Sequence, residues 1–217
     1  MMVSMKSLPS KLHLIAGGAG RNLAPYDGER WGVNATCIGV PVHVSFHLHD
    51  LEHPEWYRMT GTDKPAFFEP FLSYCKMLNH PAFSLREYPD FPSIKKFPYE
   101  ELCDHYHTNF FSNSICYMLA YAAYLGYPEI NMWGVNFALS KEYQDELPGV
   151  HYWLGRLEQM GYVAGENLRI FGYGSSMYHC LDGNSKKFRV SYSYGEPISY
   201  VPEDVLVNTK PYYGVAV

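Results

Sequence analysis

The sequence LHLIAGGAGRNLAPYDGERWGVN, residues 12–34, decides the fold of this chain. It begins with the short apolar run LHLIA, continues into the glycine-rich turn GGAG, and ends with a second short run that stops at Asn34. A buried strand that ends at glycines presents main-chain N–H groups at its carboxyl end, where they can bind a phosphate closely. Ligands of open α/β sheets also bind at that end of the strands. The stretch therefore predicts a first strand, a phosphate-binding turn and a second strand of a nucleotide-binding fold.

The glycine turn matches only part of the dinucleotide-binding pattern G-x-G-x-x-G. Gly18 and Gly20 fit the first two positions, but Leu23 occupies the third, and the second run ends in Asn34 rather than in a carboxylate. A carboxylate at that place binds the ribose of NAD. The sequence therefore favours a mononucleotide over NAD, and a turn that only reverses the chain is the structural alternative.

Composition limits the class of protein. The 217 residues suit a single domain, residues 1–217, and the net charge of −5 gives no overall positive field for nucleic acid. The only basic cluster is KKFR, residues 186–189. The five cysteines are widely spaced and contain no C-x-x-C, so we expect neither a disulfide framework nor a cysteine zinc site, and a cytoplasmic location. No apolar run is long enough for a signal peptide or a membrane span, so we expect no membrane partner.

A second strong element lies at residues 112–126, where apolar side chains recur at helical spacing. Ser112 or Asn113 can cap the start of this helix, and Gly126 ends it. The run EINMWG, residues 129–134, is typical of a buried strand. A helix joined to a strand by a tight turn belongs to α/β folds. We therefore expect a doubly wound, mainly parallel, Rossmann-like sheet with helices on both faces.

The other segments give weaker predictions. Strands are expected at residues 42–46, 82–86 and 167–171, a proline-rich connector at 89–98, and helical segments at 64–78 and 99–107. We expect a loop and a helix within 141–160, and an edge strand or half of a hairpin at 186–194. The proline- and tyrosine-rich tail, residues 195–217, either covers the domain or reaches a second subunit of a homo-oligomer.

Two stretches carry a resemblance to a known family. IAGGAGRNL, residues 15–23, and SICYMLAYAAYLGYPEINMWGVNF, residues 114–137, together resemble the Rossmann-like bacterial sialyltransferases, which use CMP-sialic acid. Those proteins carry G-N-G-P-S-L after a first strand, then T-S-G-x-Y-M followed by A-L-G-Y-x-E-I-x-x-x-G-I-D-F. WGVN, residues 133–136, is also similar to the W-G-V-D pattern of Rossmann-type proteins encoded by tailed phages.

The resemblance implies a set of ligand-binding residues. The glycines of the turn would contact the nucleotide phosphate, Asn34 the nucleoside, and Tyr143 the departing phosphate. Arg21 is additional to the family pattern, and its charge favours a UDP- or GDP-type diphosphate donor over CMP. A loop, residues 138–152, would close over the nucleotide. Together with Arg21, the predicted nucleotide- and phosphate-binding residues are Gly17, Gly18, Gly20, Asn22, Asn34, Asn113, Ser114, Asn136 and Tyr143.

Histidines supply the candidate catalytic base. The ordinary pKa of histidine lies close to neutrality, which suits a group that activates an acceptor hydroxyl. The resemblance implies His151, within the 138–152 loop, as this base. The rival is His49, with Asp50 to orient it, at the end of the third predicted strand.

Some histidines are also candidate metal ligands. His47, His49 and His53 beside Asp50 loosely match the metallo-hydrolase pattern H-x-H-x-D-H, although the aspartate and the second histidine of that pattern are replaced. The spacing C-x-H-x-H at residues 103–107 is a second loose cluster. Neither matches a known zinc pattern fully.

The sequence as a whole predicts a glycosyltransferase that moves a sugar from a nucleotide-sugar donor to a hydroxyl acceptor, with no required metal or other cofactor. The acceptor would be a sugar or, following the phage resemblance, a hydroxymethylated base of phage DNA. Two alternatives stay open. One is a non-catalytic nucleotide-binding or structural protein on the same fold, and the other is a metal-dependent hydrolase that uses His47 to His53.

Overall fold

A computed structural model describes residues 8–18, 20–48, 76–135 and 141–171, with the backbone alone for 141–145. Its strands are β1 (Leu12–Ile15), β2 (Glu29–Val33), β3 (Val44–Phe46), β4 (Ala82–Ser84), β5 (Ile94–Lys96), β6 (Ile130–Trp133) and β7 (Leu168–Phe171). Its helices are α1 (Thr36–Gly39), α2 (Tyr99–Tyr106), α3 (Ser114–Leu125) and α4 (Lys141–Gln159). A short 3-10 turn, Arg21–Leu23, follows the glycines.

The seven strands form one parallel sheet in the order β5-β4-β3-β2-β1-β6-β7. The chain builds outward from β1 to β5 on one side, then crosses back to place β6 and β7 on the other side of β1. The predicted α/β, Rossmann-like, doubly wound fold is therefore confirmed. The direction of the strand order reverses between β1 and β6, and such a point is where open α/β sheets bind ligands.

Alternation of side chains gives the sheet two different faces. One face carries large apolar side chains and packs on α2, α3 and α4, with Trp31 at its centre against the rings of Phe46, Tyr121 and Tyr127. The second face carries a smaller apolar cluster of Ile15, Ala24 and Val40, against which Val42 and Trp133 pack. The first face therefore holds the main core of the domain. Burial of its apolar side chains supplies most of the free energy that stabilises the fold.

Most of the predicted elements are present, and two predictions are wrong. Residues 89–98 are not only a connector, because β5 lies within them and pairs with β4. Residues 141–152 are not a loop, because α4 begins at Lys141 and continues through Pro148. Residues 64–75 of the helical segment predicted at 64–78, and residues 138–140 of the loop predicted at 138–152, lie outside the described residues. The edge strand predicted at 186–194, the basic cluster at 186–189 and the tail at 195–217 lie outside them as well.

None of the helices that the structure describes is long and apolar enough to cross a membrane. Within the same residues, Cys37, Cys103 and Cys116 form no disulfide.

Candidate functional site

The candidate site lies at the carboxyl ends of β1 and β6, where the strand order reverses. Ile15 and Trp133 are paired in register at these ends. The main chain then stays paired beyond the strands, because the Ala16 amide donates to the Trp133 carbonyl at 2.8 Å and the Gly18 amide donates to the Gly134 carbonyl at 2.8 Å. The glycine turn after β1 is thus fixed directly to the residue that follows β6.

The contact at Gly134 requires a glycine. Its φ is +65°, in the left-handed region that L side chains rarely adopt. A Cβ at Gly134 would lie 2.8 Å from both the Ala16 and the Gly18 carbonyl oxygens. Backbone therefore packs closely on backbone at the reversal point, and the Arg21 Cβ lies next to the same contact, 3.0 Å from the Cβ position of Gly134.

The phosphate-binding prediction needs one correction. The Gly18 amide is not available to a ligand, because it already donates to Gly134. The amides of Gly17 and Gly20 have no hydrogen-bond partner within the described part of the chain, so they are the ones that can bind an anion. Gly17 is exposed, and Gly20 has φ +84°.

The turn leads into three residues of 3-10 helix rather than into a long α-helix. A phosphate there would gain nothing from a helix dipole, and this agrees with the missing third glycine at Leu23. Arg21 and Asn22 are exposed, and the Arg21 guanidinium donates to the Gly17 carbonyl. The cation of Arg21 therefore lies beside the available amide of Gly17.

The end of β2 lies beside the same turn. Asn34 has φ +49°, an uncommon conformation that asparagine tolerates better than most residues. Its amide donates to the Phe46 carbonyl at 2.8 Å, and its carbonyl accepts from the Cys37 thiol at 3.1 Å. Thr36 is a neighbour that the sequence did not indicate, with its hydroxyl oxygen 3.8 Å from where a Cβ on Gly17 would be.

The start of α3 is occupied by internal hydrogen bonds. Asn113 caps the helix as predicted, since its Oδ1 accepts from the Cys116 amide at 3.1 Å. Its Nδ2 also donates to the Glu146 carbonyl of α4 at 3.4 Å, and the Ser112 hydroxyl donates to the same carbonyl at 2.6 Å. These groups join α3 to α4, and the ligand contacts implied for Asn113 and Ser114 stay predictions.

His151 lies on the exposed side of α4. Gly149, Val150 and Trp153 are buried, and Gly149 packs against α3. Since an α-helix turns 100° per residue, His151 is about 200° around the helix from Gly149. Asn136, His49 and Asp50 lie outside the described residues, as does the side chain of Tyr143, so their roles stay predictions.

The second face of the sheet is unusually polar. Parallel strands buried on both faces are normally apolar, yet this face buries six polar or charged side chains: His13, Arg30, Ser45, His47, Ser84 and Asn131. Arg30 donates to the carbonyls of Ala24 and Pro25 at 3.1 and 3.3 Å, and its guanidinium lies 3.9 Å from the centre of the Tyr26 ring. Arg30 thus anchors the segment that follows the glycine turn.

His13 is held neutral in the same face. Its Nδ1 accepts from the Trp133 indole at 3.1 Å, so its Nε2 carries the proton and donates to Asp27 at 2.9 Å. Burial lowers the pKa of His13, and the nearby Asp27 carboxylate opposes that shift. Asp27 also binds Lys11 at 2.6 Å.

We expect the protein to lose stability in mild acid because of His13. The pKa of His13 in the folded protein lies below the 6.5 of an ordinary histidine. As the pH falls below 6.5, the unfolded chain therefore binds a proton at His13 before the folded protein does. The free energy of unfolding should therefore fall as the pH drops below about 6.5. Urea unfolding at pH 7.5 and pH 5 measures this fall. The fall in the free energy of unfolding should be smaller in His13→Gln and larger in Asp27→Asn than in the wild type. An equal fall in the wild type and in His13→Gln would contradict the role of His13.

The metal site proposed at His47 to His53 stays a prediction, because His49, Asp50 and His53 lie outside the described residues. The Nε2 of His47 lies 2.9 Å from the Ser45 hydroxyl, and His105 packs edge-on against the Tyr106 and Tyr124 rings. Over residues 8–18, 20–48, 76–135 and 141–171, no group of three or more His, Cys, Asp or Glu side chains is placed to hold a metal ion.

Comparison of the chain with protein-family models, with curated proteins and with solved structures found no match.

Proposed function

We propose that this protein is a glycosyltransferase that binds a nucleotide-sugar donor at the glycine turn and transfers the sugar to a hydroxyl acceptor. The observation that carries the proposal is the position of the Gly17–Gly20 turn at the reversal of the strand order, fixed to Gly134 and flanked by Asn34 and Arg21. Amides and one cation at that position suit the phosphates of a nucleotide, and stabilisation of the departing phosphate is what the transfer most needs. The acceptor is a sugar or a hydroxymethylated base.

The exposed position of His151 bears on the choice of the base. A base must come within hydrogen-bond reach of the acceptor hydroxyl beside the donor. The carboxyl end of β3 lies on the same edge of the sheet as the glycine turn, and His49 and Asp50 come three and four residues later in the sequence, whereas His151 is on the solvent side of α4. We therefore favour His49, oriented by Asp50, over His151.

The nucleotide site can be tested by thermal shift with CMP, UDP and GDP. We expect at least one nucleotide to raise the melting temperature of the wild type, since a ligand at a hundred times its Kd stabilises by about 2.7 kcal/mol. Arg21→Ala should weaken binding of a diphosphate about tenfold, a loss of about 1.4 kcal/mol. Lys95→Ala is the matched control, because Lys95 is an exposed cation on β5 at the far edge of the sheet. If no nucleotide stabilises the wild type, the proposal fails.

Asn34 permits a sharper version of the same experiment. Asn34→Gly removes the side-chain amide but tolerates the φ of +49°, whereas alanine would add backbone strain. We expect Asn34→Gly to lower nucleotide affinity and the rate of sugar transfer or donor hydrolysis without lowering thermal stability. Binding without either reaction would favour the non-catalytic alternative.

A further inference from the structure

A chain of hydrogen bonds links two histidines across the second face of the sheet. The Ser45 hydroxyl on β3 lies 2.9 Å from Nε2 of His47 and 3.1 Å from Nε2 of His80. Ser45 and His47 are at most 1% exposed, while His80 is half-buried beside the start of β4. The chain therefore extends from a buried position, one residue past β3, to the protein surface.

We assign the proton positions along this chain from the contact at its outer end. Nδ1 of His80 lies 3.4 Å from Oδ1 of Asn79, and a carbonyl oxygen can only accept, so Nδ1 of His80 carries the proton. In the neutral ring Nε2 of His80 is then an acceptor, and it receives the Ser45 proton. Ser45 in turn accepts from Nε2–H of His47. All the hydrogen bonds point the same way, from the interior outward.

We propose that His47, Ser45 and His80 form a proton relay from the carboxyl end of β3 to the protein surface. When His47 takes up a proton at Nδ1, its Nε2–H bond breaks and that proton passes to the Ser45 oxygen. The original Ser45 O–H bond breaks at the same time, and its proton passes to Nε2 of His80. His47 is left neutral, Ser45 is unchanged, and His80 is a cation that gives a proton to water.

The proposed function gives the relay a role in catalysis, and that role rests on the proposed function. Sugar transfer releases the proton of the acceptor hydroxyl to a base, and that base must lose the proton before the next cycle. The favoured base, His49, lies two residues beyond His47. Burial lowers the pKa of His80, and the nearby His43 acts in the same direction. His80 is therefore suited to release a proton rather than to keep one.

Nitrogen-15 NMR of histidine-labelled protein tests the relay without any substrate. In the wild type we expect His47 to carry its proton on Nε2 and His80 on Nδ1. Ser45→Ala removes the hydroxyl that links the two rings, so the tautomers of His47 and His80 should no longer depend on each other. Ser84→Ala is the matched control, because Ser84 is a buried serine on the same face of β4 whose hydroxyl has no hydrogen-bond partner in the described structure. Ser84→Ala should leave both tautomers as they are in the wild type.

A kinetic measurement tests the use of the relay. We expect Ser45→Ala to lower kcat about tenfold or more with little change in KM, and to alter the pH profile of kcat. If Ser45→Ala does not fold, Ser45→Cys replaces it, because the cysteine side chain has a similar shape and only a weak hydrogen-bond donor. The tautomers of the wild-type histidines test the relay without any variant. The relay is overturned if wild-type His47 carries its proton on Nδ1, or if Ser45→Ala and Ser84→Ala give the same NMR result. Failure of all nucleotides to bind would overturn the proposed function instead, and the tautomer result does not depend on it.

Discussion

Gly134→Ala is expected to lower the free energy of unfolding by about 3 kcal/mol and to abolish nucleotide binding. Two physical costs add at this position. A non-glycine residue in the left-handed region costs about 1–2 kcal/mol, and the φ of Gly134 is +65°. The new Cβ would also overlap two carbonyl oxygens, each 2.8 Å away, and overpacking of this kind costs about 1–3 kcal/mol.

The loss of binding follows from which atoms must move. The two carbonyls belong to Ala16 and Gly18, within the turn that carries the available amide of Gly17. Relief of the overlap would push the turn away from β6 and break the hydrogen bond from the Gly18 amide to the Gly134 carbonyl. A phosphate site built from backbone has no side-chain freedom with which to compensate, so a displacement of a few tenths of an ångström reaches the ligand directly.

Gly126→Ala is the control for Gly134→Ala, because it adds the backbone strain of a left-handed alanine without a steric overlap. Gly126 has φ +82°, but a Cβ there would meet no atom within 4 Å. Chemical unfolding should show a loss of about 1–2 kcal/mol for this control, and thermal shift should show unchanged nucleotide affinity. Equal losses of stability and of affinity in the two variants would contradict a specific role for the contact between Gly134 and the glycine turn.

The elements that sequence reasoning found are those whose signals are local. β1 and β2 are apolar runs separated by glycines, and α3 has helical spacing with an asparagine cap and a glycine end. Each of these signals acts within a few residues of the chain, so burial and hydrogen bonding can be inferred from the order of the residues alone. The parallel sheet could be predicted as well, because a glycine turn follows β1 and a helix with a tight turn precedes β6, and both arrangements are typical of α/β folds.

The elements that were missed depend on partners far away in the chain. β5 has only three residues, two of them exposed lysines, and it is a strand because β4 lies beside it. The α4 helix includes Pro148 and Gly149, residues that normally interrupt helices, and its buried face against α3 outweighs that local preference. Propensity is a weak guide where tertiary packing decides.

The candidate site shows the same division. The glycine turn, Asn34 and the Asn113 cap were found from local pattern. The hydrogen bond from the Gly18 amide to the Gly134 carbonyl, more than a hundred residues away in the chain, was not found, and neither was the position of Thr36 near Gly17. The Ser45–His80 hydrogen bond joins residues 35 positions apart. Such contacts become visible only when the strand order is known.

Gly149→Ala is expected to lower the free energy of unfolding by about 1–3 kcal/mol, although alanine is the better helix former. A Cβ on Gly149 would lie 2.0 Å from the Ser112 hydroxyl oxygen and 2.8 Å from the Ser112 Cβ. The hydroxyl can rotate away, but the Cβ cannot move without its backbone. Rotation would in any case break the hydrogen bond from Ser112 to the Glu146 carbonyl.

Gly155→Ala is the matched control in the same helix. A Cβ there would meet nothing within 4 Å, so the substitution should stabilise by about 0.5–1 kcal/mol through helix propensity alone. Urea unfolding of the two variants should therefore give changes of opposite sign. Stabilisation by both alanines would show that α4 does not approach α3 closely at Gly149. A loss of stability in Gly149→Ala with unchanged nucleotide affinity would in turn argue against ligand contacts by Asn113 and Ser114, because α3 must shift at its first turn to admit the methyl group.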